Sequence, residues 1–440
     1  MNNFQTILVA IFLAFFVFGV LIFSGVLKVG GSKTGTNAIS GKLVIWGDLP
    51  KSQAGSLFEN GLPTTSGFYS VKYVEHKKKD YQQNLIEAFA KDEGPDLFIL
   101  SQDMILKNSN FIYKIPYASY PEKAFTTSYI DGADILLAND GVIGYPLLVD
   151  PLVLYYNKNM LSNESILYPP TTWDELFNLS SKLTKKKDDG TIIQSMIALG
   201  QYDNVNHSKD ILSMLLLQSN NPIISRTDTG YRLAIKDALP NGVAPFEQIV
   251  NFFLEFSNPS NESYSWNRSE PNSLDMFTSG KLAFYIGYAS ELFNIESINP
   301  NLSFDVASIP QTKGTSIKRT YGNMYTMVVS KKSKNLTSAF GVTTLITAPD
   351  FLKELAIATS LPTMNRSLLN DKPADPSMLT FFNSAVISRS WLDPNKEETN
   401  SIFKELIENS LSNKLSVTEA IDKASNQMDL IVRSYDTKKK

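Results

Sequence analysis

The sequence predicts an α/β protein of two or three structural units behind an N-terminal membrane segment. Three observations carry this. From about residue 42 onward, short apolar runs alternate with segments of helical period, the rhythm of sheets covered by helices. The 440 residues, 43% of them apolar, exceed one ordinary domain of about 150 residues. Residues Ile7 to Leu27 form 21 uncharged positions broken only by Gly19, Ser24 and Gly25.

At about 1.5 Å per residue, a helix over Ile7–Leu27 spans a hydrocarbon core of about 30 Å. A cleaved signal peptide has a shorter apolar stretch, a basic start and a nearby small-residue cleavage site. Met1 to Thr6 holds no Lys or Arg, and Ala38-Ile39-Ser40 lies well past the apolar run. An uncleaved single-pass anchor is therefore favoured over a removed leader. Lys28 and Lys33 follow the helix, but large domains cross membranes largely regardless of charge. Gly30 to Asn37 reads as a flexible tether.

Beyond the tether, Lys42 to Trp46 is a buried strand closed by Gly47, and Tyr69 to Val74 a second. Asp80 is placed to cap a helix with Tyr81, Leu85, Ala88 and Phe89 on one face, stopped by Gly94-Pro95. Leu97 to Leu100 follows as another strand, and the strand–helix–strand order predicts parallel sheets. Leu152 to Tyr156 opens a second series. Thr172-Trp173-Asp174-Glu175 has capping-box spacing. Ile211–Gln218 and Phe246–Phe256 read as helices, Lys281–Ile286 and Tyr325–Val329 as strands.

Composition closes off several functions. Lys plus Arg number 41 against 44 acids, for a net charge of -3, which argues against a broad basic surface for nucleic acid. Cys is absent, removing disulfides, thiolate catalysis and thiolate metal sites. His76 and His207 are the only histidines, so most His-based catalytic and metal constellations are gone. No cofactor and no metal are expected. The lysine runs at 77–79, 185–187 and 438–440 read as solvated turns and a tail.

Several segments in order resemble the extracellular solute-binding proteins of ABC importers, in the sugar-binding family that includes maltodextrin-binding protein. They are Gly41–Asp48, Gly94-Pro95-Asp96-Leu97-Phe98, Gly144–Asp150 with Leu154–Lys158, Pro169–Leu176, Phe277–Phe284 and Leu361-Pro362-Thr363. The resemblance implies a type II periplasmic-binding-protein-like fold: two α/β lobes, a hinge, and closure on a small solute that is then delivered to permease subunits. Lobe 1 would hold 41–149 and 324–361, and lobe 2 would hold 150–323 and 362–440. The body would act as a monomer outside the cytoplasm, held to the cell membrane, and would not be an enzyme.

The same resemblance points to Asp48, Asp103 and Asp150 as ligand carboxylates, since an ionised carboxylate accepts from two neighbouring sugar hydroxyls. Tyr145, Tyr155, Tyr288 and Tyr321 lie near expected cleft edges, Trp266 is a further stacking candidate, and Asn323 offers an amide. Two departures stand out. Gly287-Tyr288-Ala289-Ser290 lacks the family's stacking Trp, and Leu100 replaces an aromatic after an early strand. The three acids equally suit a cationic solute such as a polyamine or basic peptide. A glycoside hydrolase using Asp103 and Asp150, and a surface sensor or adhesin on the same fold, are the readings from other classes.

Overall fold

The computed structural model describes residues 41–62, 69–239 and 242–435. The expected anchor at Ile7–Leu27 and the tether lie outside the described residues. Among the described residues no helix is long and apolar enough to cross a membrane. The chain divides into two compact units, Met1–Ile99 with Met327–Leu352 and Leu100–Thr326 with Lys353–Lys440.

In the first unit, β1 (Gly41–Gly47) pairs in parallel with both β2 (Tyr69–Glu75) and β3 (Leu97–Ser101), with Leu43 opposite Val71 and Ile45 opposite Leu97. Leu43 and Ile45 are wholly buried, whereas Val44 and Trp46 are half-buried, so one face carries the core. Helix α1 (Lys78–Ala90) buries Tyr81, Leu85, Ala88 and Phe89, the four positions its period marks. Its start differs from expectation: Lys77 holds the N-cap position without a side-chain cap, and Asp80 sits inside the first turn. There its charge still suits the positive end of the helix dipole. After the helix the chain passes close to Phe89 at Gly94, where a Cβ would lie 2.4 Å from the ring. Asp96 then clamps the turn, accepting from the Val44 amide at 3.0 Å and the Ser333 hydroxyl at 2.6 Å.

The second unit contains α2 (Gln102–Asn108), β4 (Tyr145–Asn157), α3 (Trp173–Phe177), β5 (Ile192–Ile197), α4 (Ser208–Gln218), α5 (Phe246–Glu255), β6 (Leu282–Tyr288), β7 (Phe304–Ala307), β8 (Thr320–Val329), α6 (Lys396–Leu411) and α7 (Val417–Arg433). The sheet order is β8-β4-β6-β5, with β7 also on β4. The purely parallel expectation fails here: β6 and β7 both run antiparallel to β4, while β6 with β5 and β8 with Ser388–Arg389 are parallel. Residues 158–281 lie between β4 and β6, and the chain re-enters beside β4 in the opposite sense.

The box at the start of α3 forms as its spacing predicts, with the Glu175 amide on Thr172 Oγ1 at 3.2 Å and Glu175 Oε2 on the Thr172 amide at 3.3 Å. Helix α4 is buried along nearly its whole length. Helix α5 buries Phe246, Val250 and Phe253, which share one face. Helix α7 lays Ala420, Ile421, Ala424, Met428 and Val432 on the inside and packs on α6.

Candidate ligand-binding site

The apolar run of β3 ends in Ser101 and turns at once into α2, which places Gln102 and Asp103 in the first turn of a helix. Asp103 is buried, yet it is charged. Its Oδ1 takes the Ser101 hydroxyl and its Oδ2 takes the Lys396 ammonium. Burial alone would raise its pKa, but the Lys396 charge and hydrogen bond outweigh it and hold the carboxyl down to about 2. Lys396 answers in kind: burial pulls its ammonium down, and the Asp103 charge lifts it further up.

Gln102 ties this turn to β8. Its Nε2 donates to Tyr321 Oη at 3.2 Å and to Asn323 Oδ1 at 3.1 Å, while its Oε1 accepts from the Met324 amide at 2.7 Å. Tyr321 and Asn323 are buried, and Tyr321 feels the charges of Asp210, Asp103 and Asp393. Asp210, in the first turn of α4, accepts from Tyr288 Oη at 2.8 Å. Beside it Lys209 donates to Asp393 at 2.6 Å, and Asp393 also accepts from Thr399 Oγ1 at 2.8 Å.

A second chain of contacts runs to the end of β6. His207 pairs with Glu291, whose other oxygen accepts from Tyr285 Oη at 2.6 Å. The His207 ring meets Tyr288 edge-on at 4.8 Å between centroids. Burial works against a proton on His207, but the hydrogen bond and charge of Glu291, with Asp210 and Asp150 behind, leave its pKa raised. Asp150 accepts from the amide and hydroxyl of Ser290 at 3.0 and 2.6 Å, and so holds the turn Ala289–Glu291. No group of three or more His, Asp or Glu side chains among the described residues is placed to hold a metal ion.

The arrangement is a bank of carboxylates, phenols, an amide and ammonium groups, able to give and take many hydrogen bonds. Over residues 59–380 the chain matches the model of the bacterial extracellular solute-binding proteins. The chain belongs to that family. Members bind solutes, and this chain is a solute-binding protein, not an enzyme. Solved structures agree on the fold. A cyclo/maltodextrin-binding protein complexed with maltotetraose is 17% identical, with a TM-score of 0.71 over 92% of this chain and 100% of that one. The cyclic α-maltosyl-1,6-maltose binding protein of Arthrobacter globiformis is 14% identical, with a TM-score of 0.73 over 90% of this chain and 100% of that one. A protein solved with mannotriose bound, CpMnBP1, is 18% identical, with a TM-score of 0.64 over 88% of this chain and 99% of that one. These TM-scores establish the fold, a two-lobe α/β fold of the periplasmic-binding-protein kind.

In this solute-binding protein, Asp103, Tyr321 and Asn323 come together through Gln102, and Tyr288 joins them through Asp210. Asp150 is buried beneath the 289–291 turn. Tyr145 is half-buried against Tyr120, with ring centroids 6.0 Å apart. Asp48 lies in the first unit, half-buried, and its charge adds to burial in raising the pKa of Tyr73 and Tyr81. Tyr155 and Trp266 are wholly buried. Tyr155 donates to the Tyr288 carbonyl at 2.7 Å among Tyr285, Phe277 and Phe304, and Trp266 donates to Asn204 at 3.1 Å. Neither ring offers a face to a solute in this structure. Sequence reasoning passed over Gln102, Lys209, Asp210, Asp393 and Lys396. The Lys209-Asp210 dipeptide opening an apolar helix is the one local signal among them.

Proposed function

We propose that this protein captures a carbohydrate outside the cytoplasm and delivers it to the permease subunits of an ABC importer. One observation carries the reading: an acid, amide and phenol cluster, Asp103 with Gln102, Tyr321 and Asn323, stands in a fold shared with oligosaccharide-binding proteins. A sugar hydroxyl both donates and accepts, so it is suited by an acceptor-only carboxylate beside ammonium, amide and phenol donors. In this reading Asp103, Asn323, Tyr321 and Tyr288 touch the sugar, and Lys396 donates to it when drawn off Asp103. Residues 7–27 tether the body to the membrane.

The decisive experiment is a thermal-shift and calorimetric series on the full chain with maltotetraose, mannotriose, spermidine and a basic peptide. A ligand that binds only the folded state raises the melting temperature according to its concentration over its Kd. The expected result is a rise with an oligosaccharide that Asp103→Asn weakens. A rise with spermidine or the peptide alone replaces the carbohydrate with a cationic solute.

A further inference from the structure

Strand β8 is entered through residues 312–319, Thr-Lys-Gly-Thr-Ser-Ile-Lys-Arg, a stretch with three cations and no acid. Its last residue, Arg319, is half-buried. The Arg319 Nη1 donates to the Leu217 carbonyl at 2.9 Å. Its Nε is shielded from solvent and has no hydrogen-bond partner among the described residues. Nearby Asp131 is already taken by Arg366 and by Arg389, the latter at 2.7 Å. Burial, and then the like charge of Arg389, pull the Arg319 guanidinium below its ordinary pKa. A shielded cation with an unmet donor and a cationic neighbour is costly unless something answers it.

Arg319 lines a cavity of about 300 Å³. Ser219, Asn220, Gln248, Thr312 and Thr315 line it too, and no Asp or Glu does among the described residues. Leu239, Val243, Pro245 and Ile317 also belong to the lining, so its hydroxyl and amide groups share it with apolar ones, and Arg319 brings its one charge, which favours a negative group. With Nη1 spent on Leu217 and Nε shielded from solvent, Nη2 is the guanidinium donor left to meet an oxyanion, with a charge-assisted hydrogen bond. We propose that this cavity is a binding site for a small oxyanion, a phosphate or carboxylate group held by Arg319. It is separate from the Asp103 cluster, and its occupant need not be the transported solute.

The test is equilibrium dialysis of the full chain against radiolabelled inorganic phosphate, at fixed ionic strength in chloride. The expected result is saturable binding at one site that Arg319→Gln weakens by about tenfold or more, the worth of a charge-assisted contact. Because Arg319→Gln also removes the Leu217 bond, Gln248→Glu serves as the second variant. Gln248 is exposed, so the change sets a carboxylate in the cavity wall without touching the core, and it should abolish phosphate binding with the melting temperature kept. Displacement by acetate assigns the site to both oxyanions, and failure of acetate to compete assigns it to phosphate. Absence of saturable binding above chloride, or wild-type binding by both variants, overturns the proposal.

Discussion

Two acid–lysine pairs in the second unit share their chemistry and differ in their surroundings. Lys209 and Asp393 have side chains only 8% and 1% exposed, and both Asp393 oxygens are further saturated by Thr399 and the Asn395 amide. Asp103 is buried to a similar degree, at 6%, but its partner Lys396 is 47% exposed. The first pair has no solvent into which either charge can retreat. In the second, the ammonium sits on a flexible four-carbon stem at the surface and can be exchanged for another donor. The first pair is therefore scaffold, and in the proposed reading the second is the pair whose donor a solute exchanges.

The largest expected effect breaks the scaffold pair. Asp393→Ala leaves the buried Lys209 without its carboxylate and with only the Thr399 hydroxyl at 3.3 Å, and should destabilise the protein by about 3–5 kcal/mol. Lys396→Ala should cost clearly less, because water reaches the vacated side. Urea denaturation of both variants checks the ranking, and equal losses would remove the distinction between the pairs. A Lys209→Met, Asp393→Leu double variant sharpens it, since an apolar pair of similar volume should recover most of the loss.

Next in size is an acid transition belonging to Asp103. Its folded pKa of about 2 lies below the ordinary 3.8, so the ionised form stabilises the native state. That stability is fully present above the unfolded value and is lost as pH falls from about 4 to about 2. A gap of this size corresponds to at most about 2.5 kcal/mol, and the exposure of Lys396 discounts it to about 1–2 kcal/mol. Urea midpoints measured between pH 5 and pH 2 should fall more steeply for wild type than for Asp103→Asn. Parallel curves would mean that Lys396 is not holding the carboxylate.

How legible these features were depends on their range in sequence. The inward face of α1 follows from the 3.6-residue period, and the Thr172–Glu175 box from a three-residue spacing, so both were readable. Thr172→Ala should accordingly cost about 1 kcal/mol in thermal denaturation. Asp103 was reachable only through family resemblance. Its partner Lys396 stands 293 residues away, and Lys209 is 184 residues from Asp393, separations that leave no periodic trace. The antiparallel strands of the second unit were hidden for a similar reason, since apolar strands read alike in either direction. Tyr155 and Trp266 show the converse. An aromatic near an expected edge cannot be told from a core aromatic until packing decides between them.

The smallest effect carries the contrast between paired and unpaired buried groups to the two histidines. His76, against Trp46 and Tyr81 with Nδ1 on Asn84 at 3.0 Å, meets no carboxylate in its hydrogen bond, and burial lowers its pKa. Burial also works against a proton on His207, but it faces Glu291, with Asp210 and Asp150 beyond, and its pKa is raised. Proton NMR should therefore show two imidazole titrations on opposite sides of the ordinary 6.5, with His207 above. The stability that His207 contributes is complete below 6.5 and disappears as pH rises through its folded value, whereas that of His76 is present above 6.5 and fades on acidification. Glu291→Gln should bring the His207 titration down while leaving His76 where it was. A His207 unmoved by that change would show that Glu291 is not the group that raises it.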